Sequence, residues 1–158
     1  MFSIAGKTFP DALPELHTHV RSDKDAFIFP NELTKRMKEI GMKGLAITDH
    51  GVLSSIEDYR HAFSADSKDP LKLIPGVELY VENDIAGRDH AIILAVDDIG
   101  YHGVSKIVTE SNRHITSGYP TVTADTLCSL AKNYKGHIIF MTACMQGILS
   151  SVFLRNSR

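Results

Sequence analysis

Side chains of the kinds that bind transition metals recur along this chain at the edges of short apolar segments. They are His17, His19, Asp25, Asp49, His50, Glu78, His90 and Cys144. Imidazole, carboxylate and thiolate are the ligands that first-row metals take in proteins, and a centre for several cations needs many of them to converge. A metal site is therefore the leading hypothesis. It constrains the fold, because the apolar segments must bring their ends together.

His17 and His19 lie two positions apart in the segment 13–20. If that segment is a β-strand, side chains two apart project from the same face. The two imidazoles would then reach the same cation. One pair of this kind is weak evidence, so the case depends on the other segments.

Three further apolar runs end in ligand-type residues: 44–48 in Asp49 and His50, 71–77 in Glu78, and 137–143 in Cys144. The carboxyl ends of buried parallel strands are where α/β barrels carry their chemistry. The pattern therefore predicts that these strands direct ligands to one rim. His90 is different, because it precedes its apolar run, and strand position alone does not nominate it.

Composition fits a single domain. The chain has 158 residues, of which 43% are hydrophobic and 23% are charged, typical of one globular domain with a real core. No window approaches the roughly 18 apolar residues of a membrane span, and no secretory signal is visible. We therefore expect a cytoplasmic protein with no membrane partner.

Cys128 and Cys144 have apolar contexts that argue against a disulfide, and Cys128 is predicted in a helix core.

The net charge of −2 gives the chain no basic field of the kind that drives nucleic-acid affinity. Tight DNA binding by this piece alone is not expected. The basic residues between positions 35 and 43 alternate with Glu32 and Glu39 at helical spacing, which is typical of a solvated helix face.

Strand and helix alternate along the chain, which favours parallel strands joined by crossovers. Helices are predicted from an Asn31 cap to a stop at Gly41, from Ser54 or Ser55 onward, and over 100–113, 124–134 and 146–154. The polar segment 83–88 predicts a turn, and 117–120 separates two of the helices.

The order and spacing of these motifs resemble the PHP (polymerase and histidinol phosphatase) domain family, in particular the copy at the N-terminus of bacterial DNA polymerase III alpha subunits. The motifs that carry the resemblance are Glu15-Leu16-His17-Thr18-His19, Asp25-Ala26, the run from Gly41 to Gly51, the run from Pro75 to Val81, His90 before its strand, Gly100-Tyr101, and Thr142-Ala143-Cys144-Met145-Gln146-Gly147.

The resemblance implies an α/β fold, a distorted (β/α)7 TIM-like barrel, whose strand ends hold up to three divalent ions such as zinc, manganese or iron. Carried over by position, the metal ligands are His17, His19, Asp25, His50, Glu78, His90 and Cys144. Glu78 is the candidate bridge between two ions, and Asp23 competes for the role of Asp25. The residues predicted to take part in catalysis are His19 or His50 as a proton shuttle and Asp49 as the group that orients a ligand.

A final Asp-x-His motif of the family is not found, since His137 is the last histidine. The resemblance therefore implies a single domain over 1–158 that lacks the C-terminal part of its barrel, with about five βα units and an incomplete metal site. Weak or no hydrolysis by this piece is expected.

Three functions remain open at this point. The first is a metal-dependent phosphoesterase-type domain of a polymerase III alpha-like protein, with 3′–5′ exonuclease or pyrophosphatase activity on DNA or another phosphoester. The second is a free-standing phosphatase of the histidinol-phosphate type. The third is a non-catalytic, metal-stabilised module that docks onto polymerase domains or a proofreading subunit. Apolar surface left by missing barrel units would also favour self-association.

Overall fold

A computed structural model describes residues 2–4, 7–9, 13–84, 87–145 and 147–156. Within these residues the chain forms an α/β fold. The strands are β1 (Phe2–Ile4), β2 (Lys7–Phe9), β3 (Gly44–Ile47), β4 (Lys72–Asn83), β5 (Gly87–Ala95), β6 (Ile115–Thr116), β7 (Tyr119–Thr123) and β8 (Ile138–Thr142). The helices are α1 (Pro30–Glu39), α2 (Ile56–Ser64), α3 (Asp98–Arg113), α4 (Ala124–Lys132) and α5 (Ile148–Asn156).

Strand β4 is the centre of a six-stranded mixed sheet with the order β6-β7-β4-β5-β8, in which β3 also pairs with β4. One edge of β4 pairs in parallel with β3 at its start and with β7 near its end. The other edge pairs with β5 along most of its length, antiparallel. A single long strand therefore connects every other part of the sheet.

Alternation along β4 sends its side chains to two different environments. Val77, Leu79 and Val81 face α3 and α4, where they pack with Val104 and Leu127 in the main core. The other parity places Gly76, Glu78 and Tyr80 on the opposite face. On that face β3, β5 and β8 contribute a small apolar cluster, Ala46, Ile92, Leu94 and Met141. A third cluster lies under α1 and α2, around Met37, Tyr59 and Phe63.

Local signals explain the starts of two helices. The Asp97 carboxylate accepts a hydrogen bond from the Gly100 amide at 2.9 Å and so caps α3. Thr123 caps α4 in the same way through the Thr126 amide, at 3.2 Å. Gly100 itself permits close packing, because a Cβ there would lie 1.9 Å from the carbonyl oxygen of His137.

The prediction of uniformly parallel strands is wrong for β5, which runs opposite to both of its neighbours in the sheet. Strand β5 runs antiparallel to β4, and β8 runs antiparallel to β5. The turn between Asn83 and Gly87 is far too short for a crossover, which takes a dozen or more residues. Consequently His90 lies inside a strand, opposite Tyr80, rather than ahead of one.

Four smaller predictions also need correction. Helix α1 begins at Pro30 with Phe29 as its cap, so Asn31 is not the cap; proline suits the first helical position, where its missing N–H costs no hydrogen bond. The segment 13–20 is extended beside β3 but forms only one bridge, Glu15 to Leu45. The region 117–120 contains the turn of a β-hairpin and the first two residues of β7, a strand that the sequence did not predict. Cys128 is exposed on α4 instead of buried.

Exposed apolar side chains lie on β8 and α5, with Ile139, Phe140, Leu149 and Phe153 among the largest. The self-association expected from the sequence stays a prediction, as do the barrel and its number of units. None of the helices formed by the described residues is long and apolar enough to cross a membrane.

Candidate metal centre

Glu78 lies in the middle of β4, and its carboxylate is buried beneath imidazole rings from three other segments. Its Oε2 atom is 2.9 Å from His17 Nε2 and 3.0 Å from His19 Nε2. The same oxygen is 3.3 Å from His50 Nε2. Its Oε1 atom is 3.0 Å from Nδ1 of His90. Four of the histidines predicted as ligands therefore surround the glutamate predicted as the bridge.

Asp23 is a second buried carboxylate behind these rings. Its Oδ2 atom is 2.8 Å from His19 Nδ1 and 2.9 Å from His50 Nδ1, and it also accepts the His50 backbone N–H at 2.7 Å. The rings of His19 and His50 stack with their centroids 4.5 Å apart. One carboxylate thus fixes two imidazoles side by side, with their Nε2 atoms directed toward Glu78.

Asp25, the aspartate favoured by the sequence, lies further out. Its side chain is 54% exposed, and its Oδ2 atom is 3.7 Å from His50 Nδ1, whereas the Asp23 side chain is fully buried. The Asp25 backbone N–H donates to Asp23 Oδ1 at 2.9 Å. The structure therefore brings Asp23 closer than Asp25 to the imidazoles.

The segment that carries His17 and His19 is held against β3 by hydrogen bonds that do not form a regular ladder. Thr18 accepts the Thr48 amide on its carbonyl at 2.9 Å and donates its own amide to Thr48 Oγ1 at 3.0 Å. Both imidazoles project toward Glu78, with their Nε2 atoms 3.1 Å apart. The expected pairing of His17 with His19 is therefore present without a regular strand.

Asp49 is buried, and its carboxylate accepts hydrogen bonds from the segments around the candidate site. Its carboxylate accepts hydrogen bonds from the Val20 amide at 2.8 Å, from Ser55 Oγ at 2.7 Å and from Ser22 Oγ. These donors tie the histidine segment and the start of α2 to the end of β3. None of these three donors belongs to a predicted ligand, so the orienting role of Asp49 stays a prediction.

Cys144 lies at the outer side of the cluster. Its Sγ atom is 3.6 Å from Nδ1 of His90, and the residue is exposed. The segment around it returns to β5 through a bridge from Gly147 to His90. Among the described residues, the groups whose ligand atoms converge within 4.8 Å are His17-His19-Glu78, His19-Asp23-His50 and His50-Glu78-His90. Neither Asp25 nor Cys144 belongs to these groups, and their ligation stays a prediction.

Tyr80 is a residue of this site that the sequence did not single out. Its ring stacks on His50 at 5.4 Å between centroids and meets His90 edge to face at 4.8 Å. The available signal was strand parity, because Tyr80 is two residues beyond Glu78 and shares its face.

The electrostatics of the cluster couple its acids to its bases. Burial alone would raise the pKa of Glu78, but the imidazoles of His19, His90 and His17 around its carboxylate outweigh burial and hold that pKa well below its usual range. The hydrogen bond that His19 donates to Glu78 in turn raises the pKa of His19 against the opposing effect of burial. Burial likewise opposes ionisation of Asp23, yet its contacts with His50 and the Asp25 amide lower its pKa.

These shifts predict how the stability of metal-free protein depends on pH. The lowered pKa of Glu78 stabilises the fold above about pH 4.5, the value for an unfolded glutamate, and is lost on acidification. The raised pKa of His19 stabilises the fold below about pH 6.5 and is lost as the pH rises through its folded value. We therefore expect the melting temperature of chelator-treated protein to be highest between about pH 4.5 and 6.5. A melting temperature that rises steadily to pH 8 would contradict this coupling.

The donor set suits divalent metal ions. Imidazoles with carboxylates are ligands for zinc, manganese and iron, whereas magnesium and calcium prefer sites made of oxygen alone. Oε1 of Glu78 is buried without a hydrogen bond of acceptable geometry, although His90 Nδ1 is close. A buried carboxylate oxygen in that condition is costly unless a cation binds it.

The sequence of this chain matches a known protein family. The family model described as PHP domain matches residues 15–158. The DNA polymerase III alpha subunit of Helicobacter pylori is 27% identical over 141 residues, which cover 83% of this chain and 11% of that protein. That of Borreliella burgdorferi is 27% identical over 155 residues, covering 89% of this chain and 13% of that protein. The chain thus spans a small part of the length of these relatives.

A crystal structure of a protein assigned as a metal-dependent phosphoesterase, from Bifidobacterium adolescentis, is 20% identical with a TM-score of 0.46, covering 66% of this chain and 36% of that one. The family match is far more extensive, since it covers the chain from Glu15 to its last residue and includes each of the histidines around Glu78. The chain belongs to the PHP domain family.

Proposed function

We propose that this domain carries a divalent-metal centre of the phosphoesterase type and is part of a DNA polymerase III alpha-like protein. The observation that carries the proposal is the buried Glu78 carboxylate between four imidazoles, with Asp23 behind two of them. Such a set can hold more than one cation, with Glu78 as the shared ligand. We further propose that the whole fold is a PHP-type barrel whose rim carries this centre.

His17, His19, His50, Glu78 and His90 would hold the ions in this proposal, with Asp23, Asp25 and Cys144 at the margins. Divalent ions at such a site supply Lewis-acid chemistry, withdrawing charge from phosphoryl oxygens and favouring the deprotonation of water. Asp23 accepts from Nδ1 of both His19 and His50, so a lone pair on each Nε2 is available for ligation. This arrangement favours ligation over proton shuttling for these two residues.

Asp49 supports the proposed centre without touching it. By holding the amide of Val20 and the hydroxyls of Ser22 and Ser55, it keeps the histidine segment in register with β3. Such supporting hydrogen bonds commonly decide how well a metal site is formed.

The finer assignments of activity, to 3′–5′ exonuclease or pyrophosphatase action in DNA replication, belong to this proposal as well.

Metal content and turnover test the proposal together. Protein purified without chelator is expected to carry about two transition-metal ions per chain by elemental analysis. It should slowly hydrolyse thymidine 5′-p-nitrophenyl phosphate, a phosphodiester, and stop after chelation until zinc, manganese or iron is restored. Faster turnover of the monoester histidinol phosphate would favour the small-molecule phosphatase instead. Bound metal that raises the melting temperature without any turnover would favour the non-catalytic module, and folded protein without metal would contradict the proposal.

A further inference from the structure

Two cationic side chains lie over two tyrosine rings at the edge of the candidate metal centre. The Lys24 ammonium is 4.6 Å from the centre of the Tyr119 ring, and the Arg88 guanidinium carbon is also 4.6 Å from it. Arg88 is 5.1 Å from the centre of the Tyr80 ring. The two rings contact each other with centroids 4.9 Å apart. Lys24 Nζ also donates to the Tyr80 hydroxyl at 3.4 Å.

Arg88 differs from the other arginines whose side chains the structure describes. Arg21, Arg36, Arg60 and Arg113 each have a carboxylate within 4.0 Å, as do Lys35, Lys38 and Lys43. Of the arginines whose side chains the structure describes, Arg88 alone has no such partner, and no described carboxylate lies within that distance of Lys24. Both residues are exposed. Lys24 and Arg88 are thus exposed cations that contact the same tyrosine ring, and neither has a described carboxylate within 4.0 Å.

The same cations are positioned beside the candidate ligands. Lys24 directly follows Asp23, and Arg88 precedes His90 by two positions on β5, so they share a strand face. Tyr80 is the link, since its ring contacts His50, His90 and Arg88, and its hydroxyl accepts a hydrogen bond from Lys24.

We propose that Lys24 and Arg88 bind a second phosphate group of the substrate, next to the phosphate held at the metal centre. This inference rests on the proposed function and narrows its substrate class to compounds with two neighbouring phosphates. Guanidinium and ammonium groups are the side chains that recognise phosphate oxygens, the guanidinium in a two-pronged geometry. Contact with the tyrosine rings orients both cations before the ligand arrives, so less side-chain freedom is lost on binding.

The rings themselves are poorly placed to stack on a nucleobase. Both cations lie within 4.6 Å of the Tyr119 ring centre, and Tyr80 is enclosed by His50, His90 and Tyr119. A base that stacked on either ring would compete with side chains that already contact it. The tyrosines therefore act as supports for the cations, and the recognised group is the phosphate.

The test is calorimetric titration of metal-loaded wild-type protein with inorganic pyrophosphate and with inorganic phosphate, repeated on Arg88→Gln and Lys24→Met. Arg113→Gln is the matched control, because Arg113 is exposed and paired with Glu110 on α3. We expect wild-type protein to bind pyrophosphate more tightly than phosphate. Each site variant should lose about tenfold in affinity for at least one two-phosphate ligand, either pyrophosphate or the dinucleotide of the second arm. It should keep its affinity for phosphate, and the control should be unchanged.

A second arm identifies the source of the second phosphate. The thymidine dinucleotide with a 5′-phosphate is compared with thymidine 5′-monophosphate on the same proteins. A tenfold loss for the dinucleotide with little loss for pyrophosphate identifies the neighbouring phosphodiester of a nucleic acid, and the reverse identifies a diphosphate. Either result supports the inference.

Two results would overturn it: variants that bind both two-phosphate ligands as wild type does, or variants that lose phosphate and pyrophosphate affinity equally. Metal content is measured on each protein in parallel. Wild-type protein without metal contradicts the proposed function, whereas unchanged ligand affinities in metal-loaded variants contradict only the second-phosphate site.

Discussion

Replacing Glu78 with glutamine is expected to remove most of the metal from the protein. The substitution keeps the shape of the side chain but removes the negative charge that faces His17, His19, His50 and His90. Loss of residues that merely orient ligands lowers metal affinity by about 10- to 100-fold, so loss of the shared ligand should cost at least about 100-fold. Competition titration against a chromophoric chelator measures this affinity, and turnover should fall with it.

Glu110→Gln is the control for this experiment. Glu110 is on α3, where it pairs with Arg113, and it has no contact with the imidazole cluster. Its glutamine variant should retain wild-type metal content. Full metal retention by Glu78→Gln would show that the histidines bind metal without the glutamate, and the proposed bridge would then have to be abandoned.

The Asp49→Ala variant is expected to lower the free energy of unfolding by about 3 kcal/mol. The change leaves three donors without their acceptor, namely the Val20 amide and the hydroxyls of Ser22 and Ser55. Hydrogen bonds to a charged group contribute more than neutral ones, and a buried donor without an acceptor carries a desolvation penalty. Urea unfolding of chelator-treated protein measures the effect without a contribution from metal binding.

Asp58→Ala serves as the comparison, because Asp58 is an exposed aspartate on α2 whose partner is Arg21. An exposed ion pair contributes roughly 0–1 kcal/mol, so that variant should remain close to wild type. If Asp49→Ala proves equally stable but loses turnover at full metal content, Asp49 acts in the chemistry itself instead of in support of the site.

Residue type and order nominated four of the five residues at the centre of the candidate site, namely His17, His19, His50 and Glu78, and the structure brings them together. Each of these signals is local: a pair two residues apart, or a polar group that follows an apolar run. Such signals survive errors in the secondary structure, as the irregular backbone of segment 13–20 demonstrates. His90 precedes its apolar run, so only the family resemblance nominated it.

The choice between Asp23 and Asp25 depended on geometry that sequence does not carry. A tight turn, closed by the Asp23 amide on the Val20 carbonyl at 2.8 Å, directs Asp23 inward and Asp25 outward. Asp23 and Asp25 are the same residue type two positions apart, so a sequence pattern does not show which of them is the ligand. Only the burial of one of them distinguishes the pair.

Strand direction was the main error in the fold, and one part of it was avoidable. The polar turn before Gly87 was recognised, and a turn that short can only return the chain antiparallel. The strand β7 was harder to find, because its five residues begin with Tyr119 and Pro120 beside turn-forming residues. Its pairing with β4 is a long-range contact that local propensity does not reveal.

The central place of β4 has a consequence for the order in which the protein folds. Its partners come from before and after it in the chain, and Glu78 meets histidines from both sides of its own position. Contacts so distant in sequence form late and slowly. During synthesis, His17 and His19 leave the ribosome well before Glu78 and His90. The complete set of predicted ligands around Glu78 can therefore bind a cation only after β5 has been synthesised. Metal binding would then stabilise the folded sheet instead of initiating its folding.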